Sequence, residues 1–112
     1  MFALLRCWRS ASRLCRRSPD FVSGSQLFEY LQGEINGNGD FNAGVGSGYV
    51  IGVVDTLNRI TFCVPLGGSG ATIGQINHVV YNYMQQHPQQ WNKPAGVVVA
   101  DALRNSWPCN NR

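Results

Sequence analysis

The sequence predicts a small all-α domain of four main helices. Three observations carry that expectation. Two stretches open with a capping box, Ser23-Gly24-Ser25-Gln26 and Thr72-Ile73-Gly74-Gln75, in which the first side chain caps backbone amides and the glutamine reaches back. Apolar residues then recur at helical spacing, most clearly as Ile73, Ile76, Val79, Val80, Tyr83 and Met84. The loops between these stretches are short and none carries a hairpin signal.

With 112 residues and 44% apolar content the chain fits one globular domain with a small core. No apolar run approaches the ~20 residues that cross a bilayer, so stable membrane insertion is not expected. The formal charge is +3, but five of the nine basic residues (Arg6, Arg9, Arg13, Arg16, Arg17) lie in the first seventeen positions, where there is no acid. What remains carries four basic against six acidic residues. A nucleic-acid surface on the folded body is therefore not expected, because phosphate binding needs clustered positive charge. Residues 1–18 read as a disordered basic arm or a mis-started leader, and the domain is set at residues 19–112. The apolar stretch Met1 to Leu5 is broken by Arg6 and falls short of a secretory hydrophobic region, while the arginine-rich, acid-free composition superficially resembles an organelle transit peptide.

Taken in order, Ser23 and Gln26 open the first helix, with Val22 and Leu27 placed as a hydrophobic staple. Leu27, Phe28 and Leu31 give its apolar face, which fades at Gly33. Gly37-Asn38-Gly39-Asp40 reads as a loop; it resembles half a calcium loop but lacks the carboxylate spacing. The central stretch is Gly48-Tyr49-Val50-Ile51-Gly52-Val53-Val54-Asp55. Gly44, Gly48 and Gly52 recur every fourth position, which on a helix makes a bare strip for close approach of another backbone. Propensity argues against a helix here, and Tyr49 to Val54 alone also fits a buried strand. The expectation is a central helix from Asn42 to Arg59, with Gly48, Tyr49, Gly52 and Asp55 as structural residues. Asp55 is expected to be partly buried and to accept hydrogen bonds.

Phe62-Cys63-Val64-Pro65 reads as an extended connector and Leu66-Gly67-Gly68-Ser69-Gly70 as a flexible turn, without the lysine of a phosphate-binding loop. The third helix starts at Thr72, with Ala71 and Ile76 as its staple. It stops at His87-Pro88, since the residue before a proline is pushed out of the helical region. A polar linker, Gln89-Gln90-Trp91-Asn92-Lys93, leads to Pro94 at the first position of the fourth helix. Val98, Ala102 and Leu103 form that helix's inner face, and Trp107-Pro108-Cys109 ends it.

Of the four cysteines, Cys7 and Cys15 lie in the basic arm and Cys63 and Cys109 in the domain. The latter two read either as buried thiols or as a disulfide. The disulfide is the favoured reading and completes the expected fold class, a four-helix bundle stapled by Cys63–Cys109. Such a bond contributes on the order of 3 to 4 kcal/mol in the chain-entropy model and implies an oxidising compartment.

The ordered series Gly48-Tyr49, Gly52, Asp55, Phe62-Cys63, Pro65, Thr72, Gly74-Gln75, His87-Pro88, Pro94-Ala95, Ala102-Leu103 and Trp107-Pro108-Cys109 resembles the Rap/Tai family of immunity proteins, over about Asp20 to Cys109. The resemblance implies a small helical protein, usually periplasmic and often dimeric, that binds a peptidoglycan amidase effector of a type VI secretion system and blocks its cleft. Family members often carry a further cysteine pair. Its places here hold Tyr30 or Leu31 and Gly46, so packing alone joins the first helix to the central one. The export signal of a periplasmic protein is not evident in residues 1–18.

For an interaction protein, the candidate contacts are Trp91 with Gln90, Asn92 and Lys93, because exposed tryptophan is enriched in interface hot spots. The alternative places Trp91 folded back on the bundle. Gly67, Gly68 and Ser69 are the second candidate, a narrow backbone able to reach into an active-site groove. The best catalytic constellation is Cys63 with His78 and Asp55, but nothing local activates Cys63 and a disulfide consumes it. The two histidines and separated cysteines lack close-paired ligand spacing, so neither metal nor cofactor is expected. The expected function is stoichiometric inhibition without catalysis; the alternative is a small periplasmic chaperone that binds unfolded clients.

Overall fold

The computed structural model describes residues 21–110. Among them the chain forms four α-helices: α1 (Gly24–Ile35), α2 (Phe41–Leu57), α3 (Ile73–Gln86) and α4 (Ala95–Ser106), with a short 3-10 turn at Pro88–Gln90. No strand occurs among the described residues, only isolated bridges between Ser23 and Pro94 and between Asn58 and Phe62. The all-α expectation holds. The arm expected at residues 1–18, with Cys7 and Cys15, lies outside the described residues.

Both capping boxes form. The Ser23 amide donates to Gln26 Oε1 at 3.0 Å and the Gln26 amide to Ser23 Oγ at 3.2 Å; the Thr72 and Gln75 pair does the same at 2.8 and 3.2 Å. Other ends differ from expectation. Helix α2 begins at Phe41, because Asp40 is its cap, with Oδ1 accepting from the Ala43 amide at 2.8 Å. Helix α1 runs past Gly33 to Ile35. Pro94 caps α4 from outside rather than opening it, and the cap is built by α1's approach: the Ala95 amide donates to the Val22 carbonyl at 3.0 Å. In return the Gly24 amide donates to the Lys93 carbonyl at 2.8 Å and the Ser25 amide to that of Trp91 at 2.9 Å. Amides that have no partner within their own helices are thus satisfied across the junction.

The core is drawn from all four helices and the connector. Leu27, Val50, Val80, Val98 and Leu103 are fully buried, and Phe62 inserts between the helices after α2 ends. The turn that delivers Phe62 is held by Asn58, whose amide side chain both donates to and accepts from the Val64 backbone, at 3.1 and 2.8 Å. Arg59 takes the left-handed conformation there, at φ 73°. Cys63 and Cys109 are bonded, with Cα atoms 5.0 Å apart across 46 residues, so the buried-thiol alternative is excluded. The Cys63 amide also donates to the Trp107 carbonyl at 2.8 Å, giving the clasp a second link to the end of α4.

Two structural expectations need correction. Gly44, Gly48 and Gly52 do not form a packing strip; a Cβ at any of them would meet nothing within 4 Å. The close approach lies at Gly46, where a Cβ would stand 2.7 Å from the Tyr30 Cβ, at the place the resemblance sets the missing cysteine bridge. Asp55 is exposed, and its carboxylate makes no hydrogen bond or ion pair among the described residues. Tyr49 does pack against the core. The buried polar side chain is instead Asn77, 2% exposed, whose Nδ2 donates to Ser47 Oγ at 3.2 Å.

Gly46→Ala is expected to destabilise the fold by about 1 to 3 kcal/mol, because the added methyl meets a helix backbone. Gly48→Ala is expected to stabilise it by about 0.5 to 1 kcal/mol, since the site is open and alanine is the better helix former. Urea unfolding of the two variants reads the opposite signs. Replacing Cys63 and Cys109 together by serine is expected to cost about 4 kcal/mol on the chain-entropy estimate, read in the same assay.

Candidate functional site

The linker after α3 half-buries its tryptophan. Trp91 Nε1 donates to the Met84 carbonyl at 2.8 Å, and the ring stacks on Phe28 with centroids 4.4 Å apart. Phe28 in turn stacks on Tyr81 at 4.9 Å. The backbone of Trp91 lies against Gly24, where a Cβ would fall 2.8 Å from its carbonyl oxygen. Trp91 is therefore a half-buried joint between α1 and the end of α3, as the folded-back alternative places it, rather than a fully exposed side chain. Gln90 turns inward too, with Nε2 donating to the Tyr83 hydroxyl at 2.9 Å. Asn92 and Lys93 remain exposed. Phe28, an aromatic beside the Leu27 and Leu31 face, was the available hint that α1 would bind an aromatic.

The other candidate stretch keeps its exposure. Gly67, Gly68 and Ser69 form an exposed tip, with Gly67 at φ 81° and Gly68 at φ 53°, a left-handed backbone that glycine adopts without a steric penalty. Its base is closed. The Ala71 amide donates to the Pro65 carbonyl and the Gly70 amide to that of Gly67, both at 2.8 Å. A Cβ on Gly70 would lie 2.5 Å from the Pro65 oxygen, so the close return of the chain requires glycine there. These contacts give the turn a defined base.

Leu66 and Ala71, at the base of the turn, are shared by two hollows. One is lined by Pro65, Gly67, Ser69, Gln75, Val79 and Trp107. The other is apolar and lies between α2 and α3, with Ile51, Asp55 and Ile73 around it and the core residues Val54 and Ile76 beneath. Three of the large apolar side chains left exposed converge here: Ile51 (41% exposed), Leu66 (49%) and Ile73 (39%). The exposed turn thus stands beside an apolar hollow whose rim side chains are partly exposed.

The same geometry disposes of the catalytic constellation. Cys63 is bonded to Cys109 and has no thiol to offer. His78 is exposed on α3, and His87 is taken up in ending that helix, with Nδ1 donating to the Tyr83 carbonyl at 2.7 Å and the ring stacked on Tyr83. Asp40 serves as a helix cap, so the calcium-like loop is accounted for by α2. Among the described residues no three His, Cys, Asp or Glu side chains gather as a metal site would require.

The family model for Rap1a immunity proteins matches residues 10–109, a span that contains all four helices and the disulfide. This chain belongs to the Rap1a immunity protein family. Among curated proteins none matches it. As a Rap1a immunity protein it has an effector protein as its binding partner. No helix among the described residues is long and apolar enough to cross a membrane.

Trp91→Ala is expected to lower stability by about 3 kcal/mol, through loss of stacking, of the hydrogen bond to Met84 and of packing volume. Trp91→Phe, which keeps the stack on Phe28, should recover more than half of that loss. Thermal and urea unfolding distinguish this joint from a binding anchor, whose removal leaves the melting temperature unchanged.

Proposed function

We propose that this protein protects a bacterium from a peptidoglycan amidase effector of a type VI secretion system by occupying the effector's peptide-cleaving cleft in the periplasm. The observation that carries the reading is the Rap1a family match across residues 10–109. The turn at residues 66–70 supports the steric mechanism. Its tip offers two glycines and one serine, a cross-section close to that of bare backbone, to a groove built for peptide stems. Because hydrogen bonds close its base, little ordering entropy remains to be lost on binding. The Cys63–Cys109 bond supports the compartment, since such bonds persist in oxidising surroundings. A homodimer belongs to the same reading, and is supported by the open face of α2, where Gly48, Gly52 and Thr56 border a shallow apolar hollow.

The test is co-expression of the full chain in the periplasm with candidate cysteine-histidine amidases, reading lysis. With the cognate enzyme the chain abolishes lysis and forms one tight complex with the folded hydrolase. Ser69→Trp, placed at the exposed tip, should weaken inhibition by at least about tenfold without moving the melting temperature. Continued lysis with every candidate, together with weak binding to many denatured proteins, would contradict the reading and favour a chaperone.

A further inference from the structure

Asp55 stands where electrostatics do not favour an acid. It lies in the last turn of α2, where the unpaired carbonyls of the helix end already concentrate negative charge, and α2 has no basic residue in that turn. Arg59, four residues on, has left the helix at φ 73° and makes no ion pair with it. Among the described residues the one ion pair joins Asp101 and Arg104, at 2.7 Å. Asp55 is thus exposed, uncompensated and adverse to its own helix. It also borders the hollow around which Ile51, Leu66 and Ile73 are left uncovered, and it is the one charged residue lining that hollow.

An apolar hollow with a single unpaired carboxylate at its rim selects for one kind of occupant. An apolar side chain covers Ile51, Leu66 and Ile73, and an adjacent cation neutralises both Asp55 and the end of α2. We propose that the hollow between α2, α3 and Leu66 receives from the effector an apolar side chain flanked by a lysine or arginine, whose cation pairs with Asp55. The proposal rests on the reading of this chain as an amidase inhibitor and names the second contact beside the turn at 66–70. The turn enters the cleft, and the hollow grips the enzyme's rim. Asp55 is then held in place by partner recognition at some expense of the free protein's stability.

The test uses the full chain and the amidase whose lysis it suppresses in the co-expression assay, with affinity measured by titration calorimetry. Suppression by the unsubstituted chain tests the inhibitor reading; the variants then test the hollow alone. Asp55→Asn is expected to raise Kd about tenfold and Asp55→Arg on the order of a hundredfold, as for other truncated or reversed interfacial charges. Ile73→Ser should raise it about tenfold. Glu34→Gln, exposed at the end of α1 and away from the hollow, should leave it unchanged. Asp55→Asn should melt at or above the unsubstituted protein, a result that separates lost recognition from lost folding. Its Kd should also respond less to added salt. Binding of Asp55→Arg and Ile73→Ser within about twofold of the unsubstituted chain would overturn the proposal. So would variants that alter sedimentation of the free chain but not its affinity for the effector, because the hollow would then belong to a second copy.

Discussion

The clasp between Cys63 and Cys109 sets the geometry of the connector and of the turn at 66–70 that follows it. A domain of this size has little core to spare, and the segment after α2 must cross the bundle as extended chain without a sheet to support it. Three restraints act within a few residues. Phe62 is buried, Asn58 pairs with the Val64 backbone, and Cys63 is joined to the end of α4 by a covalent bond and by a hydrogen bond to Trp107. The chain therefore leaves Pro65 on a fixed line, and the turn at 66–70 inherits its position from that line. Loss of the bond acts on stability directly and on the surface through the connector.

The opposite end of the bundle is held by different means. Gly24 admits the backbone of Trp91, Gly46 admits the backbone of α1, and Phe28, Trp91 and Tyr81 stack across the junction. Here small residues and aromatic rings work together. Gly24 brings two backbones within hydrogen-bonding distance, Gly46 lets α2 lie close against Tyr30, and the rings fill the space beside the first of these contacts. The division of labour follows: the aromatic end is rigid and inward-facing, while the clasped end leaves Ile51, Leu66 and Ile73 uncovered.

The helices were legible in the sequence wherever one local signal decided them. Ser23 with Gln26 and Thr72 with Gln75 opened α1 and α3 as read, and His87 before Pro88 closed α3. The disulfide was legible as a pairing of the two domain cysteines. Helix α2 was harder. Its apolar residues run nearly all the way round, so the repeat of Gly44, Gly48 and Gly52 could not be phased, and the packing glycine proved to be Gly46 on another face. Asp55 was misjudged for the same reason, since the end of an apolar run does not reveal which side of the helix meets the core. Trp91 was left between two placements because the partners that half-bury it, Gly24 and Phe28, lie in α1, far away in the chain. The turn at 66–70 was found as an exposed glycine-rich stretch, but the hollow beside it was not. That hollow is made by three segments meeting in space, and no single segment announces it.

The central claim is that the effector sits on the clasped end, over the turn at 66–70 and the adjoining ends of α2 and α3. Amide hydrogen exchange of the free chain and of its complex with the inhibited amidase tests this most directly. The account predicts new protection concentrated in residues 66–76 and in the last turn of α2, with residues 89–93 unchanged. Protection confined to residues 89–93 and the start of α1, with the turn still exchanging as in the free protein, would contradict it.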